Sequence, residues 1–144
     1  MNYASIRSTG MAVPAKVVPN SWFNEQLGED VDTWLQENVH IYERRWLTQG
    51  QGVADLCEKA ALQALERAAL AADSLDLIIV ATDTPEYISP STASVLQDRL
   101  KATGAASFDV NTACAGFVSA LDTAHKYMGA AERYQKVLVI GAYG

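Results

Sequence analysis

The strongest structural signal in the sequence is Leu75-Asp76-Leu77-Ile78-Ile79-Val80-Ala81. Apart from Asp76 this stretch is apolar, and it is too short to cross a membrane as a helix. A short, continuous apolar stretch is typical of a strand that is buried on both faces, as the strands of parallel sheets are. It therefore predicts a buried strand in a parallel sheet.

The segments after this strand alternate between helical and extended patterns. They predict a helix from Ser91 or Thr92 through Leu100, a strand over 106–110, a helix over 117–128 that Gly129 ends, and a strand over 136–143. Strands that are connected through helices pair in parallel by right-handed crossovers, so the helices should cover both faces of the sheet. We therefore expect an α/β fold on a mainly parallel sheet.

The segments before this strand have weaker patterns. They predict a first strand over 3–11 and an extended segment over 41–47. Between these, Asn20 or Ser21 can cap a short helix through Leu27, and Asp30 or Asp32 can cap a second helix that contains Trp34 and Leu35. One pattern is clearer, because apolar residues recur at helical spacing after Gly52. It predicts an amphipathic helix over 53–70.

The overall composition narrows the class of protein. The 144 residues are 49% hydrophobic and 19% charged, which is typical of a soluble globular domain. The formal net charge of -6 disfavours nucleic acid as a partner, since its phosphates need clustered cations. The sequence has neither an apolar stretch of membrane-spanning length nor a secretion leader, so we expect a cytoplasmic protein without a membrane partner.

The chain has two cysteines and two histidines. Because Cys57, Cys114, His40 and His125 lie far apart and match no zinc-ligand spacing, no metal site is predicted. A reducing cytoplasm also disfavours a disulfide between the cysteines. Cys57 lies on the apolar stripe of its helix, which predicts inert packing, and His125 is expected on a solvated helix face.

Cys114 lies where a predicted strand turns into a helix, in Phe108-Asp109-Val110-Asn111-Thr112-Ala113-Cys114-Ala115-Gly116-Phe117. At the first turn of a helix a thiol meets unpaired N–H groups and the positive end of the helix dipole, which favour the reactive thiolate. The small neighbouring residues would let a substrate reach the sulfur, as in a strand-turn-helix elbow. Composition alone favours a buried structural cysteine, so this candidate nucleophile depends on its context.

The segment from Asp109 to Phe117 resembles the active-site segment of ketoacyl-acyl-carrier-protein synthase III, a condensing enzyme of the thiolase superfamily. Other segments have that family's order and approximate spacing: Ile41-Tyr42-Glu43-Arg44-Arg45, Leu77-Ile78-Ile79-Val80-Ala81-Thr82, Thr84-Pro85 and Pro90-Ser91-Thr92. The resemblance spans nearly the whole chain. It implies that residues 1–144 are the N-terminal half of a thiolase-like layered fold, with the C-terminal half absent.

The resemblance implies an acyltransferase of fatty-acid or polyketide synthesis that acts as a homodimer. In that family the cysteine takes an acyl group from coenzyme A as a thioester, and a decarboxylating malonyl carrier thioester then attacks the acyl carbon. Cys114 would accept the acyl group, with acyl-coenzyme A and malonyl-acyl-carrier-protein as substrates and no permanently bound cofactor. The family's catalytic histidine and asparagine come from its second half, and neither His40 nor His125 corresponds to that histidine.

The resemblance also suggests substrate-binding residues. Trp34 lies where the family often places a tryptophan that stacks on the adenine of coenzyme A, although a core position fits equally well. Arg44 is a candidate for binding the pyrophosphate, with surface charge as the alternative. Asn111 and Thr112 precede the nucleophile and could tune its surroundings or satisfy backbone groups. Ser89, in a loop that the family uses at its dimer interface, is small where a bulky aromatic is common, which implies room for a longer acyl chain or reflects loop polarity.

The sequence departs from the family before the Glu43-Arg44 pair. It has Val39-His40-Ile41-Tyr42 where Thr-Gly-Ile-Arg is usual, and Asn38 where an arginine is usual. Fewer cations would weaken pyrophosphate binding, or the acyl donor would be a carrier protein.

Two other functions fit the same sequence. A thiolase-superfamily acyltransferase could use the same cysteine with a different acceptor, and a non-catalytic partner could supply a dimer surface or bind acyl chains without turnover. Acylation of Cys114 would separate both enzymes from the non-catalytic partner.

Overall fold

The computed structural model describes residues 4–130 and 132–144. In chain order the strands and helices are β1 (Lys16–Pro19), α1 (Asn20–Leu27), α2 (Asp32–Val39), β2 (Glu43–Trp46), α3 (Val53–Ala68), β3 (Leu77–Ala81), α4 (Thr92–Leu100), β4 (Ala106–Val110), α5 (Gly116–Ala130) and β5 (Val137–Gly141). Two short 3-10 turns lie at Ala72–Ser74 and Ala113–Ala115. The chain forms two compact units, Val13–Gln51 and the remainder. Within the described ranges, no helix combines the length and the apolar character that a membrane crossing needs.

Strand β3 is the centre of a three-stranded parallel sheet with the order β4-β3-β5. It pairs from Leu77 to Ala81 with both neighbours, so that Ala81 lies beside Val110 on one side and Gly141 on the other. All five of its residues are buried. Asp76, the polar residue before it, accepts hydrogen bonds from the backbone N–H groups of Gln135 and Lys136, at 2.8 Å each. The parallel sheet predicted from this stretch is confirmed.

The two faces of the sheet have separate apolar cores. Ile78 and Val80 point to one face and pack with buried residues of α3 and α4, including Cys57 and Leu96. The other face carries Leu77, Ile79 and Ala81, which pack with Ala120 and Ala124 of α5. Full burial of one leucine or isoleucine side chain contributes about 1.5–3 kcal/mol, so this strand supplies much of the core. The prediction of helices on both faces is confirmed.

Acidic side chains cap the two helices on the first face. At the start of α4, the carboxylate of Asp109 accepts hydrogen bonds from the N–H groups of Thr92 and Ala93, at 2.7 and 2.8 Å. Ser91, one of the two predicted starts of this helix, is the N-cap, and its side chain accepts from the N–H of Ser94. At the start of α3, Glu86 accepts from the N–H of Ala54 at 2.8 Å. These charge-assisted caps fix the loop after β3 and the end of β4 to the helices.

The unit Val13–Gln51 is organised around a buried asparagine and an aromatic cluster. Strands β1 and β2 pair in antiparallel. The side chain of Asn20, 1% exposed, donates to Asp32 and to the carbonyl of Ile41, both at 2.7 Å. Trp22 and Phe23 meet Trp46 edge to face, with ring centroids 5.1 and 5.9 Å away. Strand β1 was not predicted, because its partner β2 is distant in sequence.

The prediction of a strand over 3–11 is wrong for the described residues from Ala4 on, and Tyr3 lies outside them. This segment lies along α3 instead: the hydroxyl of Ser8 donates to the carbonyl of Ala64 at 2.7 Å, and Arg67 donates to the carbonyl of Thr9 at 2.7 Å. Gly10 packs so closely that a Cβ atom there would overlap the carbonyl oxygen of Ala60. Hydrogen bonds to a helix therefore replace those of a sheet ladder.

The predicted end of the last helix at Gly129 is also wrong. Helix α5 continues through Gly129 to Ala130. A glycine near a helix end costs only about 0.5–1 kcal/mol relative to alanine, which the packing of α5 on the sheet offsets.

Candidate active site

The carboxyl ends of the three parallel strands meet at one edge of the sheet. A cavity of about 290 Å³ opens there. It is lined by the last residue of each strand and by residues that follow it: 81–83 for β3, 110, 112–114, 116 and 117 for β4, and 141–143 for β5. Crevices outside the carboxyl ends of parallel strands are where open α/β sheets bind ligands. Cys114 lies in this cavity lining.

A sharp turn places Cys114 between β4 and α5. Ala113, just before it, has a φ of +47°, in the left-handed region that residues other than glycine rarely adopt. The side-chain oxygen of Asn111 accepts a hydrogen bond from the N–H of Ala113 at 3.2 Å, and the N–H of Ala115 donates to the carbonyl of Thr112 at 3.1 Å. The left-handed residue costs about 1–2 kcal/mol, and these local bonds support it.

The cysteine lies in the 3-10 turn Ala113–Ala115, which leads directly into α5 at Gly116. This position differs from the predicted one, which is the first turn of the helix itself. Gly116 is buried, and a Cβ atom there would lie 3.3 Å from the Cβ of Ala81. Because neither residue has a larger side chain, the start of α5 lies against the end of β3, which fixes the turn at the edge of the sheet.

The two cysteines have opposite surroundings, and neither is in a disulfide. Cys57 is completely buried in the core between α3 and the sheet. Burial, with smaller contributions from the charges of Asp109 and Glu86, raises the pKa of the Cys57 thiol to about 12. Cys114 is exposed and faces the cavity. The predicted inert packing of Cys57 is confirmed, and the only exposed thiol is the one at the sheet edge.

The other predicted residues of this unit differ in their relation to the cavity. Thr112 lines it, and its hydroxyl donates to the hydroxyl of Ser119 at 3.0 Å. Asn111 is not in the lining and acts on the turn through the N–H of Ala113. Ser89 is exposed on the loop between β3 and α4. Of these three residues, only Thr112 therefore joins Cys114 in the lining.

Trp34 and Arg44 belong to the unit Val13–Gln51. Trp34, on α2, is 58% exposed, so it is not a core residue. Arg44 is half-buried: its guanidinium donates to the side-chain oxygen of Asn20 at 2.7 Å and lies 4.3 Å from the ring centroid of Phe23. Much of the guanidinium of Arg44 is thus in contact with residues of its own unit. The alternative that Arg44 is only a solvated surface charge does not account for these contacts.

Neither histidine is among the residues that line the cavity. His40 ends α2 with a φ of +55°, and its Nδ1 lies 3.0 Å from the carbonyl oxygen of Gln36. His125 is exposed on α5, as predicted. Among residues 4–130 and 132–144, no three side chains of the metal-binding types His, Cys, Asp and Glu come together.

Most residues of the cavity lining were not predicted as site residues, and among these are Asp83, Phe117 and Tyr143. Asp83 follows a predicted strand, Phe117 begins the helix predicted after another, and Tyr143 ends a third, so nearness to a strand end is the signal that could have marked them. The strand order was needed as well, because only the order β4-β3-β5 brings the three segments to one edge.

Comparison with known proteins adds to this geometry. Residues 108–144, which include the cysteine turn, match the family model described as 3-oxoacyl-[acyl-carrier-protein] synthase III. Over 95% of its length the chain is 43% identical to the β-ketoacyl-[acyl-carrier-protein] synthase III of Syntrophomonas wolfei, of which it covers 41%. Its sequence is thus similar to the N-terminal part of ketoacyl-acyl-carrier-protein synthase III proteins.

Solved structures of ketoacyl synthase III type have the same fold. The 3-oxoacyl-[acyl-carrier-protein] synthase III of Aquifex aeolicus superposes with a TM-score of 0.84 at 39% identity, with 94% of this chain and 43% of that chain covered. The priming β-ketosynthase of the R1128 polyketide pathway gives a TM-score of 0.88 at 25% identity, with 96% and 41% covered. The chain thus spans less than half of these ketoacyl synthase III relatives, and the predicted thiolase-like α/β fold is confirmed.

Proposed function

We propose that the chain carries the acyl-accepting site of a 3-oxoacyl-acyl-carrier-protein synthase in fatty-acid or polyketide synthesis. One observation supports this above the others. Cys114 is the exposed cysteine of the chain, and it lines the cavity at the carboxyl ends of the sheet within the segment that matches the synthase III family. An inert structural cysteine would be expected in the core, where Cys57 lies.

The proposed reaction has two steps. In the first, the Cys114 thiolate attacks the carbonyl carbon of an acyl-coenzyme A thioester, the carbon–sulfur bond to coenzyme A breaks, and coenzyme A leaves as its thiolate. In the second, a malonyl carrier thioester loses carbon dioxide, its carbanion attacks the acyl carbon, and the Cys114 thiolate leaves. A thiolate suits both steps, because it is a good nucleophile and a good leaving group.

The proposal gives the predicted substrate residues specific roles. Trp34 offers an exposed ring for stacking on the adenine of coenzyme A, and Arg44 would contribute its remaining N–H groups to the pyrophosphate. Asn111 and Thr112 would shape the turn around the acylated sulfur. Ser89 would leave space for the acyl chain at a homodimer interface. The protein would act in the cytoplasm with an acyl-carrier protein as partner and without a bound cofactor.

Single-turnover mass spectrometry of the full-length protein tests this proposal. The protein is first incubated with acyl-coenzyme A and freed of excess donor, and malonyl-acyl-carrier-protein is then added. We expect Cys114 to gain one acyl group and to lose it again as a 3-oxoacyl thioester forms on the carrier. Cys114→Ser, which keeps the size of the side chain but leaves poorly, should yield no product.

The other outcomes contradict the proposal in different ways. An acyl group that leaves Cys114 at the same rate with and without malonyl carrier points to an acyltransferase with another acceptor. A folded protein that never gains an acyl group is a non-catalytic partner.

A further inference from the structure

Residues 82–91, the cavity loop, connect β3 to α4, and the first two of them line the cavity beside Cys114. Both ends of the cavity loop are fixed. At its start the N–H of Thr82 donates to the carbonyl of Val110 at 3.1 Å, which continues the pairing of β3 with β4. At its end Ser91 is the N-cap of α4. The position of the loop between these ends depends on what holds its middle.

Glu86 holds the middle of the cavity loop. Its carboxylate accepts a hydrogen bond from the N–H of Ala54, in the first turn of α3, at 2.8 Å. A carboxylate is favoured at the positive end of a helix dipole, and a hydrogen bond to a charged group is stronger than a neutral one. Gly52 leaves the space for this contact, because a Cβ atom there would overlap the carboxylate. Glu86 thus attaches the loop to a helix that is packed in the core.

Helix α3 has a second capping carboxylate of its own. Asp55, in its first turn, accepts from the N–H of Gly52 at 2.7 Å and pairs with Arg99 of α4 at 2.6 Å. The helix is 16 residues long and packs in the core along its apolar stripe. The cavity loop, all of which the structure describes, contains neither a helix nor a strand. The contact of Glu86 therefore matters more for the position of the loop than for the helix.

We propose that Glu86 is a positioning residue that fixes the cavity loop and thereby limits the length of the acyl group that Cys114 accepts. This inference rests on the proposed acylation of Cys114. An acyl group on that sulfur would lie beside the first residues of the loop, and the same loop carries Ser89, to which the proposed function assigns the space for the acyl chain. In an apolar pocket one methylene group changes a rate about 10- to 200-fold, provided that the wall does not move. A released loop would lose this discrimination.

The test is the acyl-length profile of the full-length protein. The rates at which Cys114 gains acyl groups from acetyl-, butyryl-, hexanoyl- and octanoyl-coenzyme A are measured by mass spectrometry. Two substitutions release the loop by different routes: Glu86→Ala removes the carboxylate, and Gly52→Ala displaces it. The backbone of Gly52 is extended, so alanine fits there without strain. Each variant should reduce the ratio between the best and the poorest donor by roughly threefold to tenfold.

Asp55→Ala is the matched control, because it removes the other carboxylate from the start of α3. It also loses the ion pair with Arg99, so it should lower the midpoint of urea unfolding at least as much as Glu86→Ala does. The acyl-length profile should nevertheless stay that of the wild type.

Three results would overturn the inference while acylation of Cys114 still supports the proposed function. They are a wild-type profile that is already flat, a profile that either Glu86→Ala or Gly52→Ala leaves unchanged, and a profile that Asp55→Ala flattens equally. If no donor acylates Cys114 in the folded protein, the proposed function fails and the inference fails with it.

Discussion

The two thiols of this chain differ in their exposure to solvent: Cys57 is buried and Cys114 is exposed. Cys57 is enclosed by α3 and the sheet, where a charged thiolate would lose its hydration. Cys114 stands on a turn at the end of a strand, facing a cavity. The same side chain is therefore a small apolar core residue in one place and a candidate nucleophile in the other.

The buried thiol makes a pH-dependent contribution to stability. The unfolded Cys57 thiol titrates near 9.0, whereas in the folded chain its pKa is raised to about 12. Below about pH 9 the thiol is neutral in both states, and its contribution is fully present. As pH rises from about 9 to 12, only the unfolded thiol ionises, so the free energy of unfolding falls by at most about 1.4 kcal/mol per pH unit.

Urea denaturation of the wild type and of Cys57→Ala at several pH values measures this contribution. The stability advantage of the wild type should shrink between pH 9 and 12, the window between the two pKa values. An advantage that stays constant across this window would show that the thiol is not shielded from solvent.

Sequence reasoning was most successful at the residue scale where local context sufficed. The small residues around Cys114 and the helical stripe that contains Cys57 are both visible in the sequence. Asp83 could not be found in this way, because its position beside Cys114 depends on the pairing of β3 with β4. That pairing joins residues that are far apart along the chain.

At the scale of elements, the loop after β3 and the end of β4 are connected through the start of α4. Asp109 lies one residue before the end of β4, and its two carboxylate oxygens accept from adjacent N–H groups of the helix. The same residue lies five positions before Cys114. A cap of α4 thus also anchors the strand that leads into the cysteine turn.

Removal of this cap should destabilise the fold. Asp109→Ala leaves two N–H groups of α4 without their acceptor, and we expect a loss of about 1–3 kcal/mol in the free energy of unfolding, measured in urea. Asp109→Asn keeps one acceptor oxygen and should lose less.

Asp98→Ala is the control on the same helix. Asp98 lies in the last turn of α4, where a negative charge opposes the helix dipole, so this change should not lower stability. An Asp109→Ala variant as stable as the Asp98→Ala variant would contradict the capping role.

The elements were predictable where one local pattern dominated. A continuous apolar stretch predicted β3, and the helical spacing of apolar residues predicted α3 and α5. The strand expected over 3–11 failed because the choice between a sheet and the surface of α3 is a matter of tertiary packing. Strand β1 was missed for the same reason, since its ladder with β2 is formed between residues distant in sequence.

On the scale of the whole molecule, the fold places Cys114 at the edge where parallel sheets bind ligands. The order β4-β3-β5 brings Asp83, Cys114 and Tyr143 to one cavity, although each follows a different strand. The family resemblance predicted the fold, which the structure confirms, and it made Cys114 the candidate nucleophile. Composition and net charge narrowed only the class of protein, because neither depends on which residues meet in space.

The identity of the acylated sulfur tests the account most directly. The full-length protein is incubated with acyl-coenzyme A, digested, and mapped by peptide mass spectrometry beside the Cys114→Ala and Cys57→Ala variants. We predict one acyl group on the peptide that contains Cys114, none on the peptide that contains Cys57, and loss of labelling only in Cys114→Ala. A folded protein that carries no acyl group on Cys114, or that is labelled equally without that sulfur, would contradict the account.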